Sequence, residues 1–142
     1  MPAVSGHFEW RDGLMWRVGF DASDVGPPND FKFYTALVDT GASVTCISKE
    51  VVDDLGLLPV GKTVMQTASG REAANIYHVK LGFIISSNIE IDGTESGEVR
   101  IVTIPVVEFD PGENVYQALI GREILSAGVL NMSFDGHYSF SF

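Results

Sequence analysis

Four turn pairs, Asp12-Gly13, Ser69-Gly70, Asp92-Gly93 and Asp135-Gly136, cut this chain into short apolar runs. Asp-Gly and Ser-Gly suit tight turns because glycine adopts positive φ at no steric cost. The runs between them are rich in β-branched and aromatic residues, which favour pleated, half-buried strands. A chain punctuated this way is limited to a mostly β fold, and its 15 glycines reinforce that limit.

Taken in order, HFEWRDGLMWRVGF predicts a hairpin turning at Asp12-Gly13, with Trp10 and Trp16 as packing residues flanking the turn. Residues 21–30 contain Gly26, Pro27 and Pro28 and read as a surface loop. FKFYTALVD follows as a strand whose apolar end, Ala36-Leu37-Val38, is expected to be buried on both faces. A short helix is predicted at 49–55, with Ser48 as cap, Glu50 in the first turn and Gly56 as terminator. A strand, a turn at Ser69-Gly70 and a second strand come next. Another strand pair surrounds Ile91-Asp92-Gly93-Thr94. Leu119-Ile120-Gly121 leads into a second short helix at 122–127, and a hairpin turning at Asp135-Gly136 ends the chain.

The 142 residues suit a single domain spanning 1–142, and no internal repeat or linker divides them. A formal net charge of −10 with scattered Lys and Arg argues against nucleic acid or an anionic membrane as partner. One cysteine, Cys46, allows no internal disulfide. With no signal-like start or long apolar run, a soluble cytoplasmic protein is expected. No His-x-x-x-His, Cys-x-x-Cys or phosphate-binding glycine loop occurs, so no metal or other cofactor is expected. The acid pairs Asp53-Asp54 and Asp21/Asp24 are read as solvated. Cys46 as a nucleophile would need a histidine nearby, and His7, His78 and His137 lie far apart in sequence without a motif around them.

The segment ALVDTGAS carries the chemistry. Asp39 follows a buried strand directly, with Thr40 and Gly41 behind it. Thr40 offers a hydroxyl, and Gly41 permits a tight turn and close approach of another backbone. A carboxylate at the mouth of a strand is displayed half desolvated, as a reactive acid needs to be. Asp-Thr-Gly alone is a common turn tripeptide. Its context is what singles it out: apolar residues before it, small Ala42 and Ser43 after it, and an apolar pair plus glycine recurring roughly eighty residues later.

ALVDTGASVTCIS resembles the active-site segment of retropepsin-like aspartic proteases, and ALIGREIL resembles their second signature. The resemblance spans about residues 31–142. It implies an all-β, closed-barrel lobe with one or two short helices, paired as a twofold homodimer. It implies Asp39 as the catalytic acid, Thr40 interlocked with its copy beneath the dyad, and Gly41 as a backbone contact to substrate. Leu37, Ala42, Cys46 and Leu119 match positions that line substrate pockets. The hairpin at about 64–79 would be a flap, its tip Ala68, Ser69, Gly70 and Arg71 lying over the substrate. Gly121 would let the second apolar strand pass close behind the active-site loop. Arg122 matches an arginine that pairs with an acid after the triplet; here Ser43 stands there, so that salt bridge is absent or rerouted. The segment 83–110 is longer than in the viral enzymes.

One carboxylate cannot build a dyad, and no second Asp-Thr-Gly or Asp-Ser-Gly occurs in the chain. Two copies are therefore expected to meet at Asp39. The alternating tail 138–142 is expected to pair within that interface, which would remove an edge hazard. The activity implied is hydrolysis of peptide bonds in an extended peptide or protein substrate with apolar side chains. The second reading is a catalytically silent dimer of the same fold that binds peptides or serves assembly; the complete Asp-Thr-Gly favours activity.

Overall fold

The computed structural model describes residues 3–22, 31–89 and 95–142, with backbone alone over 84–89 and 95–99. The predicted turns at 92–93 and most of the predicted loop at 21–30 lie outside the described residues. In chain order the elements are β1 (Ala3–His7), β2 (Met15–Asp21), β3 (Lys32–Val38), β4 (Cys46–Ser48), α1 (Lys49–Leu55), β5 (Gly61–Thr67), β6 (Gly70–Ile89), β7 (Glu95–Phe109), β8 (Ala118–Ile120), α2 (Arg122–Leu125), β9 (Val129–Met132) and β10 (His137–Ser141).

The strands form two sheets. The larger runs β2-β3-β8-β4-β7-β6-β5, and β2 also pairs with β6. That extra pairing closes β2, β3, β8, β4, β7 and β6 into a six-stranded barrel and leaves β5 hanging from β6 as the outer arm of a hairpin. Closure removes the exposed edges that an open sheet would present. The barrel is filled by alternate residues: Trp16, Val18 and Phe20 from β2, and Tyr77, Val79, Leu81 and Phe83 from β6. Period-two alternation sends these side chains to one face of each strand, as a closed barrel requires.

The helix α1 has the predicted bounds. Ser48 Oγ accepts from the Val51 amide at 3.4 Å, and Gly56 ends the helix at φ 63°, ψ 36°. The helix α2 stops at Leu125, shorter than the 122–127 expected. Of the run Ala36-Leu37-Val38, only Ala36 is fully buried, because the barrel covers one face of β3 while the other stays half open.

Three expectations need correction. The turn at Asp12-Gly13 is present, with Gly13 at φ 89° and its amide bonded to Glu9 O at 2.9 Å, but it does not join a hairpin. β1 pairs with β10 instead, His7 opposite His137, so the turn carries the chain from one sheet to the other. It leaves Trp10 56% exposed while Trp16 is buried. The tail is not free to pair with another copy: β10 is the central strand of the small sheet β1-β10-β9. Asp21 is not solvated either. It ends β2, is 5% exposed and lies opposite Lys80 of β6 in register.

Candidate active site

The end of β3 and the loop after it are held by β8 and α2. β3 and β8 run parallel, with Leu37 opposite Leu119 and Val38 opposite Ile120. The ladder continues one step beyond β3, where the Asp39 amide donates to Ile120 O at 2.9 Å. The chain then turns sharply. Asp39 Oδ1 accepts the Gly41 amide at 2.9 Å, and Asp39 O accepts the Ala42 amide at 3.1 Å. A short acid that bonds the backbone two residues on favours such a turn. A Cβ on Gly41 would stand 3.1 Å from Asp39 Oδ1, so glycine leaves the carboxylate room to reach that amide.

The far side of the loop is tied to α2. Thr45, fully buried, donates its amide to Glu123 Oε1 at 2.6 Å and accepts the Gly121 amide on Oγ1 at 3.1 Å. The Arg122 amide donates to Ala42 O at 2.9 Å. Ser43 offers no charge to the Arg122 guanidinium, whose Nη1 donates to Thr40 O at 3.0 Å. Gly121 sits so close behind the loop that a Cβ there would lie 2.5 Å from the Val44 carbonyl carbon. Only glycine fits that approach, which is the close passage predicted from the apolar-Gly motif.

This framework leaves Asp39 half-buried, with Thr40 and Gly41 exposed at the rim. Cys46 lies beneath, 2% exposed, its thiol donating to Val44 O at 3.5 Å. Burial, then the Glu123 and Asp39 carboxylates, push that thiol up to about 12. A thiol held protonated is no nucleophile. Of the histidines, His7 and His137 meet across the small sheet, ring centroids 3.9 Å apart, and His78 lies on β6.

The β5–β6 hairpin pairs Gly61 with Ile76 through Thr67 with Gly70, so it runs over 61–76 where 64–79 was expected, and its connection is the two residues Ala68-Ser69. Gly70 takes φ 125°. Thr67 Oγ1 donates to Gly70 O at 2.9 Å, and Ser69 Oγ donates to Glu72 Oε1 at 3.3 Å, so the tip is bonded to itself. Between this hairpin, the start of α1 and the ends of β7 and β8 lies an open cleft of about 1010 Å³, lined in part by Met65, Thr67, Ser69, Phe109, Gln117 and Leu119. The cleft reaches Leu119, the strand neighbour of Leu37 and Cys46. The structure thus groups Leu37, Cys46 and Leu119 in adjacent strands below Asp39. Ala42 sits in the loop itself, and Ala68, Ser69 and Gly70 lie at the hairpin tip.

Sequence reasoning missed Thr45 and Glu123. Glu123 reads as an ordinary acid in the first turn of a helix, and only the fold shows it reaching back to the loop. Among the described residues no cluster of His, Cys, Asp and Glu could hold a metal, and no helix is long and apolar enough to cross a membrane.

Comparison with known proteins follows the same lines. Residues 29–134 match the model of a family described as aspartyl protease. A retropepsin-like aspartic protease from Rickettsia conorii superposes with a TM-score of 0.54 over 97% of this chain and 89% of its own, at 14% identity. No curated protein matches the chain. The family match takes in Asp39, its loop, the hairpin and Gly121 together, so this chain, retropepsin-like in fold, belongs to the aspartyl protease family.

Proposed function

We propose that the chain is an aspartic endopeptidase that works as a homodimer, each copy supplying one Asp39. The observation that carries this reading is the display of Asp39. Its backbone is fixed by Ile120 and its Oδ1 by Gly41, and it stands at an accessible rim. Family membership supports the chemistry, and the lone Asp-Thr-Gly supports the pairing.

In this reading two carboxylates at a twofold axis share one proton, since like charges that close do not both ionise; this is general to aspartic proteases as a class. The ionised carboxylate takes a proton from water, whose oxygen attacks the scissile carbonyl carbon. The protonated carboxyl gives its proton to the carbonyl oxygen. In the tetrahedral diol that results, the C–N bond breaks as a proton passes to the amine nitrogen, and the dyad returns to one shared proton. Gly41 N–H orients each carboxylate, and the Arg122 and Glu123 tethers keep the loop from shifting when charge moves. The β5–β6 hairpin acts as a flap over an extended peptide, with Leu37, Ala42, Cys46 and Leu119 shaping the floor and the hairpin tip closing the top. No metal or cofactor takes part.

The test is Asp39→Asn. The amide keeps the shape and removes the ionisable group. Peptide cleavage is expected to fall by about 10³-fold or more, the scale of lost acid–base catalysis, with the melting temperature unchanged. Wild-type kcat/KM is expected to trace a bell against pH, because the dyad titrates as a pair. Undiminished cleavage by Asp39→Asn would rule out the dyad. A wild-type chain that cleaves no member of a broad peptide library, yet binds peptides, would make it the silent module instead.

A further inference from the structure

We infer that Glu108 gives the cleft a second specificity: beyond the apolar floor at Leu119, it takes a lysine or arginine side chain carried a few residues along the bound peptide. This rests on the endopeptidase reading above and narrows its substrate class.

The cleft changes character along its length. At one end lies Leu119, one residue before Ile120, whose carbonyl takes the Asp39 amide. Towards the other end the lining is polar, with Ser48, Asn75, Glu108 and Gln117. Strand register measures the separation. Leu119 lies opposite Cys46, Cys46 opposite Val107, and Ile47 opposite Glu108. Glu108 is therefore two strand spacings across and one residue along from Leu119, about 10 Å, the length of about three residues of extended peptide. A peptide that seats an apolar side chain on Leu119 has a long side chain about two or three positions away within reach of Glu108.

Glu108 is built into the wall. It is half-buried, and the hydroxyl of Tyr77, a side chain 3% exposed, donates to its Oε1 at 2.9 Å. Asn75 Nδ2 donates to the same hydroxyl at 3.3 Å, so the one hydroxyl proton is committed to Glu108. That bond fixes the side chain and leaves the carboxylate further acceptor capacity for a ligand. Beside it, buried Ser48 donates to Gln117 Oε1 at 2.9 Å, which keeps this stretch of the floor polar. The local cations do not cancel the charge. Lys49 lies in the field of Glu108, but its exposed ammonium is bonded to Asp53 at 2.9 Å. Lys62, on the hairpin arm, is outnumbered by Glu50, Glu72 and Asp110 around the same cleft.

These surroundings choose the side chain. An apolar group would strip water from Glu108 without replacing its hydrogen bonds. An acid would meet like charge. A neutral amide offers an ordinary hydrogen bond, whereas an ammonium or guanidinium offers a charge-assisted one, which is stronger.

The experiment holds the scissile pair of one peptide constant and places Lys, Arg, Gln, Leu or Glu in turn at the second and third residues on either side. At one of these positions Lys and Arg are expected to raise kcat/KM about tenfold over Gln and Leu, through KM, with the advantage shrinking as salt rises. Glu108→Gln keeps an acceptor for Tyr77 and removes the charge; its Lys-to-Leu ratio is expected to fall to about one. Glu108→Lys is expected to favour Glu at the same position. Each ratio is taken within one variant, so a smaller folded fraction does not enter it. Affinity of the same peptides for Asp39→Asn, which needs no turnover, is expected to follow the same order. Wild-type cleavage that is equal for Lys and Leu at every position, or a Lys preference that survives Glu108→Gln, overturns the role of Glu108 and leaves the dyad standing. A Lys preference in binding, with no peptide cleaved by the wild type, overturns the endopeptidase reading and keeps the subsite. Neither cleavage nor binding of any peptide overturns both.

Discussion

The Asp39 loop and the β5–β6 hairpin, whose inner side lines the cleft that reaches Leu119, are held in opposite ways. The loop is tied to β8 and α2 by Asp39–Ile120, Ala42–Arg122, Thr40–Arg122, Thr45–Gly121 and Thr45–Glu123 bonds, all reaching about eighty residues along the chain. Among the described residues the hairpin tip bonds its near neighbours, Thr67 to Gly70 and Ser69 to Glu72. One region is fixed by the rest of the barrel, the other by its own ladder. The difference teaches that one sheet can carry a loop anchored by distant tethers beside a hairpin anchored by its own neighbours. Low-stability segments are where closing motions arise, and rigid surroundings are where reactive groups are positioned.

The comparison is broken most severely at Gly121. Gly121→Ala puts a methyl 2.5 Å from the Val44 carbonyl carbon, and both are backbone-bound. Thermal unfolding is expected to show a loss of about 3 kcal/mol, at the upper end of overpacking costs, with cleavage abolished. Next is Glu123→Ala, which leaves the buried Thr45 amide without its carboxylate. About 1–3 kcal/mol is expected from the unmade bond. Glu123→Gln, which keeps an acceptor, is expected to recover most of it; equal losses in the two variants would mean that the charge rather than the bond matters.

The hairpin is expected to respond differently. Gly70→Ala strains a residue at φ 125° that has open space around it. A cost of about 1 kcal/mol is expected, confined to the hairpin, with KM rising more than kcat falls. Hydrogen exchange checks the confinement: faster exchange over 61–76 with the barrel unchanged supports the contrast, and global acceleration breaks it.

The smallest effect lies at the β9–β10 turn. Asp135, bonded by Ser133 and His137, is lowered to about 2. A carboxyl depressed on folding contributes stability above its unfolded pKa, near 3.8, and loses it as pH falls through about 2. Asp135→Asn is therefore expected to lower the melting temperature slightly at neutral pH and not at all near pH 2. A difference that persists at the acid end would show that the side chain acts through shape alone.

These regions also differ in how far the sequence announces them. The α1 helix was legible to the residue because its cap, first-turn acid and terminal glycine are all local. Asp12-Gly13, Ser69-Gly70 and Asp135-Gly136 marked real turns, since glycine's conformational freedom is a local property too. What the first turn connects was not legible: β1 chooses β10 over β2 through a pairing across the length of the chain, which no window of sequence contains. The same reason hid the buried position of Asp21 and the central place of the tail. At the site, Asp39 and Gly121 could be read from motifs, whereas Thr45 and Glu123 could not, because their roles exist only where two distant segments touch.

The parallel pairing of β3 with β8 sets an order of events. Residues 36–38 wait for residues 118–120 before either strand has a neighbour on that side, and closing so long a loop comes late and at an entropic cost. A nascent chain that ends before residue 118 has the Asp-Thr-Gly but lacks the Ile120, Gly121, Arg122 and Glu123 tethers of its loop. The loop therefore gains these tethers only when most of the polypeptide is available to fold around it.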